Sequence, residues 1–267
     1  MKFFTLLSLS LFLVTLTNAD WRVVNETPAQ SADSPLVYER FTVSQVGDTS
    51  FFATKRIDVV WFDAKKHTFK VIDNGPADAK TFPNLAAAMK KHDCIAGCNG
   101  GFFLKNHDPS GLMIASGQST GRFGQGGLLS GFILSSGNIN PYILRRAEYG
   151  PKYKPTDLIQ TGPFLVDQGN TVSGLSKTNA RRRTFVLHDG DAGFAIGLCD
   201  SLTLAQLAEV IAHKDFSPSR KIHRGLNLDG GTSSGLYVNR GESYPVIHVE
   251  PFKTVRNFIG IVPRVVK

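Results

Sequence analysis

The stretch most suggestive of chemistry is Leu226-Asn227-Leu228-Asp229-Gly230-Gly231-Thr232-Ser233-Ser234-Gly235. An aspartate ends an apolar run and small residues follow at once. Such a loop can offer backbone amides to an anion, and its carboxylate can act as acid, base or ligand. Asp-Gly-Gly is equally the chemistry of a hairpin turn. Within it, Gly231-Thr232-Ser233-Ser234-Gly235 fits G-x-S-x-G. A serine nucleophile in that motif needs a strand, a sharp turn and a helix, whereas Leu236-Tyr237-Val238-Asn239 reads as a strand. Only Glu242, His248 and Glu250 lie downstream as partners, so a Ser233 hydrolase is the minor alternative.

Three further segments carry chemistry-bearing residues. In Asn99-Gly100-Gly101-Phe102-Phe103 an apolar strand ends in a polar residue and paired glycines, which permit close backbone approach or a positive φ. Ala180-Arg181-Arg182-Arg183-Thr184 closes a window, 144–183, with eight basic against three acidic residues. A guanidinium fork matches phosphate oxygens bidentately. Gln160-Thr161-Gly162-Pro163-Phe164-Leu165-Val166 reads as a turn feeding an apolar strand. The seven histidines show no paired metal-ligand spacing and no EF-hand loop is present. A metal site is therefore unassigned, with calcium on scattered loop aspartates the one cofactor kept open.

These residues need a frame, and the chain is long enough to build one. It has 267 residues, 42% of them hydrophobic and 19% charged, which excludes disordered and collagen-like classes. Residues 1–19 begin with Lys2, continue through an apolar run and end Thr17-Asn18-Ala19. That pattern predicts a signal peptide cleaved after Ala19, because a run of about 14 residues is too short to span a bilayer. Secretion or a periplasmic location follows as an expectation, with no stable membrane insertion after cleavage. The net charge of +8 then points to an extracellular anion, such as a phosphorylated glycan, rather than to nucleic acid. Cys94 and Cys98 could form a short-loop disulfide in that setting, or all three cysteines, Cys199 included, could be buried thiols.

Residues 20–50 look polar and irregular and read as a leader, with the domain at 51–267. Arg56–Phe62 and Thr68–Ile72 flank a turn-like Asp63–His67, a hairpin signal. Residues 82–92 can align Leu85, Ala88, Met89 and His92 on one helical face. Glycines recurring between 110 and 140 suggest a meander of short strands. Thr203–His213 is the clearest helix, with Thr203 and Gln206 as a capping box and Leu204, Leu207, Ala208 and Ile211 on one stripe. Strands follow at Gly225–Asp229, Gly235–Asn239 and 255–266. The expected architecture is a single strand-rich α+β domain of mixed or antiparallel sheets with two or three helices.

In this order the segments resemble the phosphodiester glycosidase family, to which the uncovering enzyme of lysosomal glycoproteins belongs. The similar pieces are Asn99-Gly100-Gly101-Phe102-Phe103, Pro109-Ser110-Gly111-Leu112, Thr161-Gly162-Pro163-Phe164-Leu165-Val166, Arg183-Thr184, the Thr203–Glu209 helix and Leu226–Ser234. Thr232 stands where the family usually has a third glycine. The resemblance implies a single-domain, bacterial-type enzyme that hydrolyses a sugar C1–O–P linkage in an envelope or extracellular glycan. It implies Asp229 and Asn99 as catalytic residues, Arg183 as the phosphate holder, and Thr161, Gly100, Gly101, Gly162, Gly230, Gly231, Thr232 and Ser233 as substrate-binding positions. The rival from another class is a non-catalytic envelope protein that binds anionic polysaccharide through the 144–183 basic strip.

Overall fold

The computed structural model describes residues 20–50, 53–136 and 139–264, so the signal expected at 1–19 lies outside the described residues. Every strand pairing among them is antiparallel. Two α-helices accompany the strands, α1 (Leu85–Lys91) and α2 (Leu204–Ile211). The architecture is mostly β, which narrows the α+β expectation and removes its mixed-sheet option.

Three sheets share one core. The largest has eight strands in the spatial order Trp21–Asn25, Leu36–Gln45, Lys55–Asp63, Gly193–Leu202, Arg181–His188, Arg224–Asn227, Phe164–Asp167 and Asn170–Thr171. A second runs Gln118–Thr120, Met113–Ala115, Asp157–Thr161, Gly131–Ser136 and Ile139–Arg145. A third runs Ile247–Val249, Leu236–Val238, Ala96–Asn99, Asn257–Pro263 and His67–Asp73. Val60, Phe69, Ile133, Ile159, Leu226 and Ile259 meet in the central cluster, drawn from all three sheets. α2 covers the opposite face of the eight-stranded sheet with Leu207 and Ile211 against Phe41, Trp61 and Phe185. α1 covers the third sheet with Leu85, Ala88 and Met89.

Both helices follow their sequence signals. Asn84 caps α1 by accepting from the Ala87 amide, and Thr203 and Gln206 form the reciprocal box that starts α2. Strand Lys55–Asp63 is buried on both faces, Ile57, Val59 and Trp61 under α2 and Val60 and Phe62 in the central core. That explains its nearly unbroken apolar run. Its buried polar residue, Asp58, accepts from the Tyr38 hydroxyl at 2.6 Å and from Arg40 Nε at 2.8 Å.

Three expectations are corrected here. Residues 20–50 do not form an irregular leader, since Trp21–Asn25 and Leu36–Gln45 are strands of the eight-stranded sheet. Along the second, Leu36 and Tyr38 enter the central core, whereas Phe41 and Val43 face α2. The buried face switches sides mid-strand, so no clean alternation shows. The second correction concerns Arg56–Phe62 and Thr68–Ile72, which do not pair with each other. Strand Lys55–Asp63 is flanked by Leu36–Gln45 and Gly193–Leu202, while His67–Asp73 pairs with Asn257–Pro263. The turn between them is a corner linking two sheets, packed by Phe62 against Phe69 at 5.0 Å. The glycine-rich 110–140 region is likewise no simple meander, because Asp157–Thr161 inserts between Met113–Ala115 and Gly131–Ser136.

Candidate active site

Four sequence segments meet where strand Arg224–Asn227 runs out into Asp229. The Asp229 amide donates to the Gly100 carbonyl at 3.1 Å. Asn99 Nδ2 donates to the Asp229 carbonyl at 2.7 Å, and Asn99 Oδ1 accepts from the Thr184 hydroxyl at 2.7 Å and the Gly235 amide at 3.0 Å. The Thr161 hydroxyl donates to the Asn227 carbonyl at 3.1 Å, and Asn227 Nδ2 donates to the Gly162 carbonyl at 2.8 Å. The ends of strands from all three sheets are thereby tied to one loop.

Several residues expected to touch substrate are consumed by this knot. Asn99 and Thr161 are buried, with their polar groups bonded to protein. The Gly100 amide donates to the Asn257 carbonyl at 3.0 Å and the Gly101 amide to Asn257 Oδ1 at 2.8 Å. A side chain on Gly100 would collide with that same Asn257 oxygen, and one on Gly162 would meet Ser130 Oγ at 2.6 Å. In this structure Asn99, Thr161, Gly100, Gly101 and Gly162, expected as catalytic or substrate-binding positions, brace the loop through these bonds and close contacts. Buried polar groups must be satisfied, and here the satisfied partners are other parts of the loop's support.

The open side of the loop carries different residues. Asp229 is half-buried, and its Oδ1 accepts from the Gly230 amide at 2.9 Å. Burial pushes its carboxyl above the ordinary aspartate range, opposed by the nearby Ser233 hydroxyl, Lys253, the Gly230 amide and Arg181. Two arginines pack against the glycines of the loop. A Cβ at Gly230 would lie 3.5 Å from Arg183 Cδ, and one at Gly231 would lie 3.5 Å from Arg181 Cδ. Gly231 also has φ +63°, a conformation that favours glycine. Thr232 takes part through its carbonyl, which accepts from the Phe252 and Lys253 amides at 2.8 and 3.3 Å.

Arg183 is the unusual charge. It is buried, its Nε donates to the Leu202 carbonyl at 3.2 Å and its Nη2 to the Asn179 carbonyl at 2.9 Å. No carboxylate lies within ion-pair distance of it among the described residues. Burial and the neighbouring Arg181 both lower its proton affinity. A register slip between the Arg181–Leu202 and Arg183–Cys199 pairs puts a bulge beside it, a device that re-aims side chains near sites. The bonded Nε and Nη2 anchor the fork, and Nη1 faces the Gly230 side, 3.7 Å from that glycine's Cβ position. An uncompensated, preoriented guanidinium against Gly230 of the loop is suited to receive a phosphate.

Lys253 was not singled out by sequence, since it lies in a stretch without motif. The structure sets its Nζ 4.8 Å from the Phe103 ring centroid and close enough to Asp229 to stabilise its charge. Arg182 points elsewhere, over the exposed Phe252 ring at 4.9 Å. Neither Asp229 nor Arg183 lines any of the five cavities described for the molecule. The site is an open face, adjoined through Phe252 and Lys253 by a cavity of about 320 Å³.

The alternatives fare poorly in this geometry. Ser233 sits on a 3₁₀ turn followed by strand Leu236–Val238, with its hydroxyl buried and without a well-formed hydrogen bond. His248 Nε2 is bonded to Glu250 at 2.6 Å, and the Ser233 hydroxyl has no well-formed hydrogen bond to His248 or any other base. Of the 144–183 charges, Arg145 is paired with Asp167 at 2.8 Å, Arg146 holds the Gln125 and Gly126 carbonyls and Arg183 is buried, so these three are engaged within the fold. Calcium does not fit at Asp229, a single carboxylate with the charges of Lys253 and Arg181 near it; no group of three His, Cys, Asp or Glu suited to a metal occurs among the described residues. Cys94, Cys98 and Cys199 are buried, unbridged thiols, with burial pushing Cys94 and Cys199 up to about 12. No helix among the described residues is long and apolar enough to cross a membrane.

A phosphodiester glycosidase family model matches residues 92–262. The catalytic domain of zebrafish N-acetylglucosamine-1-phosphodiester alpha-N-acetylglucosaminidase, auto-inhibited by its pro-peptide, is similar in structure with a TM-score of 0.62 and 16% identity, over 90% of this chain and 87% of that one. A Synechocystis protein is similar with a TM-score of 0.56 and 14% identity, over 91% of this chain and 68% of the other. At these identities the likeness is one of fold. No curated protein matches the chain in sequence.

Proposed function

Because the chain belongs to the phosphodiester glycosidase family, we propose that it is an exported hydrolase that cleaves a sugar-1-phosphodiester at the Asp229 loop. The observation that carries this reading is the buried Arg183 guanidinium, without a carboxylate in ion-pair distance among the described residues and set against Gly230, the residue after Asp229. In the reaction the sugar C1–O bond breaks and the electron pair leaves with the phosphate. The departing monoester has a second pKa of about 6 and needs little protonation. Arg183, with Arg181 beside it, holds the growing negative charge. Asp229 faces the oxocarbenium-like sugar carbon and takes the proton from the attacking water, whose hydroxyl oxygen bonds to C1. Free sugar, a phosphomonoester and one proton result. Export matches the signal-like residues 1–19, and a phosphorylated envelope or extracellular glycan is the substrate class that suits the basic chain.

Release of free sugar from a panel of defined sugar-1-phosphodiesters tests this reading, with Asp229→Asn and Arg183→Ala run beside the parent protein. Turnover by the parent and none by folded Asp229→Asn is expected. Full activity in both folded variants would overturn the assigned roles.

A further inference from the structure

The largest of the described cavities, about 700 Å³, lies between α1 and the edge of the third sheet and shares no residue with the Asp229 site. Strand His67–Asp73 ends that sheet. Its outer edge is closed further along by Asp157 Oδ1, which accepts from the Val71 amide at 2.9 Å, and by Ser135 Oγ on the Phe69 carbonyl at 2.6 Å. The cavity's apolar lining comes from Ile72, Phe82, Ala87 and Ala115, and its cationic lining from Lys70 and Lys91, with His92 also in the wall.

Those cations have no internal anion. Lys70 Nζ donates to Ser116 Oγ at 3.2 Å, and neither lysine has a carboxylate within ion-pair distance among the described residues. Burial first, then the charges of Lys70 and Lys91, lower the proton affinity of His92, opposed by Asp93, and both lysines line the same cavity. The carboxylate in the lining, Asp73, is already held by Arg256 through Nε and Nη2, both at 2.9 Å. Apolar walls with a few convergent charges are the anatomy of a small-molecule site.

We propose that this cavity binds a fatty-acid-class ligand, its alkyl chain along Ile72, Phe82, Ala87 and Ala115 and its carboxylate between Lys70 and Lys91. A chain suits the walls better than a ring, because Phe82 is packed edge-on against His92 at 5.4 Å and offers no open stacking face. A carboxylate suits the head site better than a phosphate. Lysines are point charges without the guanidinium fork that grips phosphate, and the Asp73 charge in the wall penalises a dianion more than a monoanion. This site stands apart from the glycosidase reading and does not depend on it.

Titration of the full chain with dodecanoate at low ionic strength tests the proposal. Saturable one-to-one binding is expected, at least about tenfold tighter than dodecanol, since two exposed charge contacts together supply roughly that factor. The Lys70→Gln/Lys91→Gln variant should bind dodecanoate no better than dodecanol. Ala87→Trp, which fills the cavity, should abolish binding while the protein stays folded by circular dichroism. Absence of saturation, equal affinity for dodecanol, or intact binding in folded Ala87→Trp would overturn the site. Tighter binding of dodecyl phosphate than of dodecanoate would overturn the choice of head group.

Discussion

The side-chain amide of Asn99 donates to the main-chain carbonyl of Asp229 across 2.7 Å, fixing the reactive loop from behind. Asn99 is thus a positioning residue whose other oxygen also serves Thr184 and Gly235. Asn99→Ala leaves the Asp229 carbonyl, the Thr184 hydroxyl and the Gly235 amide without that partner. Stability should fall by about 2–4 kcal/mol, given about 1–3 for each buried polar group left unsatisfied and partial relief by relaxation. A displaced Asp229 should lower kcat more than it raises KM. Denaturant midpoints and steady-state kinetics on the same preparation check both.

Arg183 predicts the opposite trade. A buried cation without a carboxylate partner costs stability that Arg181 increases. Arg183→Met retains the apolar stem and gives up two bonds to carbonyls. The variant should therefore unfold within about 1 kcal/mol of the parent protein, while kcat/KM falls by about a hundredfold or more, as for removal of one oxyanion-stabilising donor. Inorganic phosphate should raise the parent protein's melting temperature and leave that of Arg183→Met unchanged. A phosphate-induced shift of equal size in both proteins would remove Arg183 from the anion site.

Local patterns in the sequence revealed the helices and the positions of the site, but not which groups face outward. Thr203 with Gln206 and the Leu204–Ile211 stripe specify α2 from short-range signals alone. Asn99, Thr161 and Gly162 stand out in the sequence because the fold constrains them, and constraint looks the same whether a residue braces or reacts. Lys253 reaches Asp229 only because the Thr232 carbonyl holds its loop, a long-range bond without a local signature. The pairing of Lys55–Asp63 was hidden because one neighbour, Gly193–Leu202, comes from a distant chain segment and the other, the preceding strand Leu36–Gln45, lies in the stretch that reads as an irregular leader.

Deletion of residues 20–50 tests the corrected N-terminal boundary. It would remove two strands and uncover the edge of Lys55–Asp63, together with Trp61 and Ile57 in the α2 core. Exposed apolar strand edges template aggregation. The shortened chain should be recovered mainly as insoluble protein, whereas removal of residues 1–19 alone should leave a soluble, cooperatively unfolding one. Recovery by centrifugation and a thermal melt distinguish the outcomes.

The raised proton affinity of Asp229 gives linked predictions for stability and rate. Burial disfavours its charged form in the folded state. A carboxyl raised on folding contributes stability at low pH, which is lost as pH rises from the unfolded-state value through the folded one. Asp229→Asn removes the buried charge and keeps an oxygen for the Gly230 amide. It should be more stable than the parent protein at neutral pH, with the gap closing below the ordinary carboxylate range. Its kcat should fall by about 10²–10⁴-fold, the usual worth of a general base. In the parent enzyme kcat/KM should rise with pH along a limb set above the ordinary aspartate range. Lys253 opposes the shift, so Lys253→Met should move that limb to higher pH. A limb that stays in place in Lys253→Met, or moves to lower pH, would detach the rate from Asp229.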